Sequence, residues 1–355
     1  MRLFISRLDS ERASPWRRAR AGAVAWAIRR ATACAALAAL AALPPPASAH
    51  MLASDAPLPD FLAWTAEPWI VALMALSLLL YLAGYARLAR RTARKDEQAP
   101  GRALRRKRLA AFALGWLALA AALLSPLDGL SAALFSAHML QHELLMIVAA
   151  PLLVLGRPLA IWLWALPPGL RRSIGGWLHA RRFRAVWRPL SAPLGAWILH
   201  ATALWAWHVP TLFQAALEHP AIHVLQHFSF LATALLFWWT AFPQPSAGNR
   251  TGHAMLGLFT TMVHTAALGA LLTLAPGVWY PDYIEPTSAL GLDPVQDQQL
   301  GGLIMWVPGG LAYLAAGLAV ASRWLLRRSA RPVHDGVRTT RPGTTAGQEL
   351  PQEFP

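Results

Sequence analysis

The stretch AALFSAHMLQHELLMIVAAPLLVL, residues 132–155, decides the fold class. It is 24 residues long and contains one charged residue, Glu143. A transmembrane helix needs about 20 predominantly apolar residues, so this stretch is long enough to cross a bilayer. We therefore interpret it as a membrane-spanning helix that carries His138, Gln141 and His142 in its first half.

The composition of the whole chain agrees with a membrane protein. Of its 355 residues, 56% are hydrophobic and 14% are charged, and it contains 17 Trp and 28 Pro. Soluble domains average nearer a quarter charged residues. These values exclude a disordered chain, a coiled coil and an ordinary water-soluble enzyme. The single cysteine, Cys34, excludes a disulfide framework and any site built from several thiolates.

Apolar runs of spanning length recur along the chain, which predicts an all-α integral membrane protein built as a bundle of seven transmembrane helices. The runs lie near residues 67–86, 109–124, 132–155, 193–209, 221–241, 253–275 and 300–322. Residues 158–168 are also apolar but short and proline-containing, and we interpret them as an interfacial segment.

Lysine and arginine occur only in every second segment that connects the predicted spans. Segments 87–108 and 156–192 contain ten and seven, segment 242–252 contains one, and the tail from Arg323 contains six. Segments 50–66, 125–131, 210–220 and 276–299 contain none. The positive-inside rule then places the mature N-terminus outside and the C-terminus in the cytoplasm. The net charge of +15 therefore indicates topology and attraction to the membrane surface, with no nucleic-acid partner.

The two ends of the chain differ from this bundle. Residues 1–49 combine an arginine-rich start, an apolar run at 31–43 and Ala47-Ser48-Ala49, which predicts a cleaved secretory signal peptide. Residues 50–66 would follow as a periplasmic segment, 67–326 as the transmembrane domain and 327–355 as a disordered cytoplasmic tail. The predicted location is the bacterial plasma (inner) membrane, crossed several times.

A histidine pattern occurs twice. His138 and His142, and again His223 and His227, fit H-x-L-Q-H on two helices predicted to run in the same direction. Side chains at i and i+4 share one helical face, with Cβ atoms about 5–6 Å apart. The two pairs start at equal depth below the predicted outer surface, where ionisable residues mark functional sites.

Two such pairs facing each other would offer four imidazole nitrogens to one metal ion, and a third helix could add His264 or His208. Gln141 and Gln226 could orient the rings by hydrogen bonding. Alternatively, each histidine could be an ordinary hydrogen-bond partner between helices.

The ligand chemistry narrows the choice of metal. Imidazole suits copper, zinc, iron and nickel. A haem held by one imidazole from each of two helices is the main alternative. A zinc hydrolase is a less favoured alternative. Glu143 follows the second histidine, whereas the H-E-x-x-H motif of zinc hydrolases has its Glu after the first. The acidic segment 276–299 is expected to be solvated, or to attract cations or a basic partner.

Together these segments resemble the CtaG family, polytopic cytochrome c oxidase assembly factors of caa-type oxidase systems. The resemblance covers roughly residues 60–325. It rests on residues 138–142, 151–158, 207–210, 223–230, 237–239, 264–269, 280–283, 297–302 and 305–309. It implies a seven-span bundle that helps a haem–copper oxidase mature, with a role in making its copper centre.

The first functional hypothesis is therefore a non-catalytic assembly factor that holds copper at an outward-facing histidine cluster. Its partners would be cytochrome c oxidase subunits, periplasmic copper chaperones and the lipid bilayer. A haem-binding membrane redox protein and a copper transport or tolerance protein remain as alternatives.

Overall fold

The computed structural model describes residues 67–93, 99–242 and 250–329, and every regular element in these ranges is helical. The predicted signal peptide, the segment 50–66 and the tail beyond 329 lie outside the described residues. The α-helices are α1 (Pro68–Ala93), α2 (Ala99–Leu124), α3 (Pro126–Ser131), α4 (Phe135–Glu143), α5 (Ala150–Gly156), α6 (Pro158–Ala165), α7 (Pro168–His179), α8 (Arg181–Leu190), α9 (Pro193–Trp207), α10 (Pro210–Glu218), α11 (Pro220–Ala241), α12 (Arg250–Thr273), α13 (Ile284–Ala289) and α14 (Pro294–Ser329). A π-helix, Leu144–Ala149, joins α4 to α5, and a short 3-10 helix, Pro281–Tyr283, precedes α13.

Six helical segments of the described chain are long and apolar enough to cross a membrane. They are Pro68–Thr92, Gly101–Leu124, Phe135–Gly156, Pro220–Ala241, Thr251–Thr273 and Pro294–Leu326. The remaining predicted span, 193–209, contains α9, whose 15 residues make a helix about 22 Å long. This is shorter than the hydrocarbon core of a bilayer, which is about 30 Å thick.

Two helices extend beyond their apolar runs into the basic segment between them. α1 continues through Arg87, Arg90 and Arg91, and α2 begins at Ala99, ten residues before the predicted apolar run. Arginine is a good helix former, and its long side chain can extend from a membrane helix towards the polar interface. The helical structure therefore persists where the hydrophobicity ends.

The third span is continuous from Phe135 to Gly156 but changes its hydrogen-bonding pattern in the middle. Ala150 N–H donates to the carbonyl of Leu145, a π-type bond, and Pro151 has no N–H to donate. The Met146 carbonyl therefore lacks a helical donor. The indole of Trp238 on α11 donates to it at 2.8 Å. This bond satisfies a buried carbonyl and joins α11 to the third span.

The bundle is packed around aromatic side chains. One core cluster includes Phe230, Phe237, Trp238 and Tyr313, and a second surrounds Phe135 near the beginning of α4. Many large apolar side chains on the long helices are exposed, which is the surface that lipid requires.

α12 and α14 approach each other at small residues. A Cβ atom on Gly302 would lie 2.6 Å from the backbone N of Thr273 and 2.7 Å from the carbonyl O of Gly269. Glycine at these positions lets the two helices pack backbone to backbone, as is common between membrane helices. At the neighbouring Gly301, a Cβ atom would clash with the ring of Phe135, so the start of α14 also packs closely against α4.

Candidate metal centre

The beginning of α4 is fixed by a residue that is distant in sequence. Asp297 on α14 is buried, and its carboxylate accepts a hydrogen bond from the backbone N–H of Phe135 at 2.7 Å. The Ser136 hydroxyl also donates to this carboxylate. A negative side chain at a helix N-terminus satisfies unpaired N–H groups and favours the helix dipole. Asp297 therefore positions His138, which lies one turn further on.

α4 and α11 present their histidines at matching positions. His138 and His142 follow the first residue of α4 by three and seven residues, and His223 and His227 follow Pro220 of α11 by the same numbers. At 1.5 Å per residue, each pair lies about 4 and 10 Å along its helix. The two pairs therefore stand at matching positions along their helices.

The rings of five histidines from three parts of the chain lie together. His138 and His142 have ring centroids 4.4 Å apart, and His223 and His227 have theirs 4.2 Å apart. Between the helices, His138 lies 5.4 Å from His223, and His142 lies 5.2 Å from His227. His208, directly after α9, lies 6.5 Å from His142. We call these five residues the histidine cluster.

Several ring nitrogens of the histidine cluster are close enough for one ion. Nε2 of His138 and Nε2 of His142 are 3.0 Å apart. One nitrogen from each of His138, His223 and His227 lies within 4.8 Å of the others. Because metal–imidazole bonds are about 2.0 Å long, nitrogens at these separations can bind a single ion with small side-chain movements.

The tautomer of His138 is set by a tyrosine. Nδ1 of His138 lies 2.8 Å from the Tyr283 hydroxyl, which itself lies 2.8 Å from the carbonyl O of Ser131. A carbonyl only accepts, so the hydroxyl donates to Ser131 and accepts from Nδ1–H. Burial raises the pKa of the Tyr283 phenol well above its usual value, which keeps this donor protonated. Nε2 of His138 is therefore left with its lone pair directed at the cluster.

His208 is oriented in the same way by the backbone. Its Nδ1 lies 2.6 Å from the carbonyl O of Leu204 and must donate to it, which leaves a lone pair on Nε2. The Tyr280 hydroxyl donates to the carbonyl of His208 at 2.9 Å. Buried ring nitrogens without a hydrogen-bond partner among the described residues include Nδ1 of His142, Nε2 of His208 and Nε2 of His227. Such buried nitrogens are costly to leave unpaired, and a bound ion or an ordered water would satisfy them.

His264 does not join these rings in the structure. Its ring lies 5.9 Å from Trp197 on α9, and it is close enough to His200 to interact electrostatically with it. His200 itself contacts Thr233 and stacks on Phe237. The expectation that His264 would complete the cluster is therefore corrected, because the helical face that carries it meets α9.

The two glutamines of the repeated pattern differ in their contacts. Gln141 donates to the carbonyl of Ala122 and to Asp128, both at 2.7 Å, so it joins α4 to α2 and α3. Gln226 is buried beside His138, but its amide atoms make no hydrogen bond of good geometry with the described residues. Gln141 therefore has a structural role and does not orient an imidazole.

Comparison with known proteins now places the chain in a family. The profile of the family described as cytochrome c oxidase caa3 assembly factor, Caa3_CtaG, matches residues 79–327. The chain belongs to this family. The matched region includes every member of the histidine cluster, Tyr283 and Asp297.

The curated relatives of this CtaG-family protein are mycobacterial. An uncharacterized protein of Mycobacterium bovis is 29% identical over 272 residues, which cover 74% of the chain and 39% of the relative. An uncharacterized protein of Mycobacterium leprae is 26% identical over 274 residues, which cover 74% and 40%. The chain thus spans about two fifths of the length of the curated relatives it matches. No solved structure is significantly similar to it.

The sequence pattern does not predict the roles of two residues that organise the cluster. Tyr283 lies 145 residues after its partner His138, and Asp297 lies 162 residues after Phe135. Both belong to the segment 276–299, whose acidic residues were expected to be solvated. Asp297 is instead buried against α4, so that expectation is wrong for this residue.

Proposed function

We propose that this CtaG-family protein is a non-catalytic membrane assembly factor for cytochrome c oxidase that holds copper at the histidine cluster. The copper would be destined for the copper centre of the oxidase. The observation that carries the proposal is the meeting of five imidazole rings, from α4, α11 and the end of α9, around buried nitrogens without partners. His138, His142, His223, His227 and His208 are the proposed ligands, and copper is a metal that imidazole suits and that the copper centre of the oxidase requires.

The geometry favours a metal ion over a haem. Nε2 of His138 and Nε2 of His142 are 3.0 Å apart, and five of the six ring pairs among the four pattern histidines have centroids 4.2–5.9 Å apart. A haem ligated by two imidazoles needs the porphyrin plane between them. Rings in such close contact leave no gap for it, and Phe230 and Phe213 fill the space beside His142 and His138.

Metal analysis and an optical spectrum of the protein purified from membranes test this proposal together. We expect about one copper per chain, as one shared ion requires, and no Soret band. A Soret band with stoichiometric iron would instead support the haem-binding alternative. A copper-free protein that cannot be loaded with copper would contradict the proposal.

We further propose seven spans, with α9 as the fourth and the histidine cluster facing outward. The all-or-none distribution of lysine and arginine supports this orientation. A reporter fused after residue 180 is expected to report the cytoplasm, and one fused after residue 290 the periplasm. A periplasmic signal at residue 180 would refute the seven-span topology.

Replacing Tyr283 by phenylalanine is expected to weaken copper binding without preventing folding. The change removes the hydroxyl that orients His138, and loss of such outer partners typically costs about 10- to 100-fold in metal affinity. Competitive titration with a copper(I) chelator measures the effect. Tyr81→Phe is the control, because Tyr81 is also buried. Its hydroxyl bonds to the backbone carbonyls of Arg108 and Gly156, where α1, α2 and α5 meet. Equal affinities of the two variants would contradict the proposed role of Tyr283.

A further inference from the structure

A second site, lined by arginine and apolar side chains, lies away from the histidine cluster, between the last turns of α1, the end of α6 and the start of α7. It is a cavity of about 340 Å³. Four of its lining residues are arginines, Arg87, Arg90, Arg91 and Arg171, and the indole of Trp164 also lines it. No acidic side chain of the described chain lines this cavity.

The arginines have two different roles. Arg87 donates to the carbonyls of Trp164 and Leu166 at 3.3 Å and to that of Ala165, so it closes the C-terminal end of α6. Arg91 and Arg171 instead hold their guanidinium groups over the Trp164 ring, at 5.1 and 4.5 Å from its centre. Two guanidinium groups on one indole concentrate positive charge in the cavity without an anionic partner among its lining residues.

Guanidinium groups arranged in this way suit a phosphate. Arginine presents a planar fork of donors that binds phosphate oxygens in pairs, and it stacks on aromatic faces. The cavity volume falls within the usual range for small-ligand sites, about 300–1,000 Å³.

The surroundings place this cavity at the membrane surface. Arg90 and Arg91 stand where the apolar span of α1 ends. α7 and α8 follow the cavity, are separated by Ala180 alone, and have no buried residue. Together they contain six arginines and an aromatic row. That row consists of Trp177, Phe183 and Trp187, with neighbouring ring centres 4.5 and 5.7 Å apart. Short helices with separate basic and apolar faces lie in the headgroup region of a bilayer.

We propose that this cavity binds the phosphate of an anionic phospholipid headgroup, with α7 and α8 lying in the same interface. Basic pockets between membrane helices are typical binding places for such lipids. The leaflet concerned is the cytoplasmic one if the proposed orientation is right, but the site itself depends on neither copper nor the histidine cluster.

The test uses the full chain in micelles of an uncharged detergent, with thermal unfolding measured as phosphatidylglycerol is titrated in. Phosphatidylcholine and inorganic phosphate, at matched phosphate concentrations, form the other arms. Phosphatidylglycerol is expected to raise the melting temperature more than either. Arg91→Gln with Arg171→Gln should weaken this response about tenfold or more in lipid concentration, because it removes two charges that the proposal places together on one headgroup phosphate, where each contributes several-fold.

The matched control removes the same charge elsewhere. Arg106→Gln with Arg323→Gln changes two exposed arginines that do not line the cavity, and it should leave the response within about twofold. If the double variant does not fold, Arg171→Gln alone replaces it, because Arg171 lies on a helix with no buried residue. This single change is expected to weaken the response to phosphatidylglycerol about fivefold.

Two results would overturn the proposal. If the cavity variants and the control respond equally, the lipid effect comes from the general basic surface. If inorganic phosphate stabilises the wild-type chain as much as phosphatidylglycerol does, the cavity is a site for soluble anions.

Discussion

Replacing His142 and His227 together by alanine is expected to abolish copper binding while the bundle still folds. Each change removes one imidazole from the centre of the histidine cluster, where the two rings lie 5.2 Å apart. Since loss of an outer partner already costs about 10- to 100-fold, we expect each single substitution to lower copper affinity at least about 100-fold. The second substitution should then add little, because groups that act on one centre are strongly non-additive.

The control for this experiment is another buried histidine. His200 is 1% exposed, but it contacts Thr233 and Tyr313 at a separate place in the bundle. His200→Ala should lower the melting temperature and leave the copper content unchanged, and His264→Ala should also retain copper. The measurements are copper per chain and thermal unfolding for all variants. Wild-type copper loading in the folded His142→Ala, His227→Ala protein would show that the metal site lies elsewhere.

Deleting the gene for this chain is expected to lower cytochrome c oxidase activity to a small fraction of the wild-type level in cells grown at low copper. The oxidase subunits should still be made, because the proposed role lies in maturation. Activity should return with the wild-type chain or His200→Ala and should not return with the His142→Ala, His227→Ala variant. Oxidase activity and immunodetection of the subunits are the measurements.

Two outcomes would count against the assembly role. Full oxidase activity at low copper in the deletion strain would contradict it directly. Loss of copper tolerance with normal oxidase activity would instead favour a copper transport or tolerance protein.

The sequence was sufficient to predict the histidine pairs because their position depends on local geometry. The H-x-L-Q-H spacing sets two rings on one face of each helix, and the shared chain direction sets their depth. The structure brings His138 and His142 to His223 and His227 as expected. All-helical structure and six of the expected spanning helices follow equally from apolar length.

The remaining features depend on contacts that local spacing cannot specify. The helical period predicts how far along its helix His264 lies. It does not predict which neighbouring helix the His264 side chain contacts, and in the structure that helix is α9. Tyr283 and Asp297 reach α4 from a segment more than 140 residues away. Pro151 inside an apolar run indicates that a helical hydrogen bond is missing there. The hydrogen bond that compensates for the missing one comes from Trp238, which lies on another helix.

The copper content of the oxidase itself tests the central claim most directly. The oxidase would be purified, after growth at low copper, from the strain that lacks this chain, and its copper and haem would be measured per enzyme. We expect normal haem and a copper deficit that the wild-type chain restores and the His142→Ala, His227→Ala variant does not. An oxidase with its full complement of copper in the absence of this chain would contradict the account.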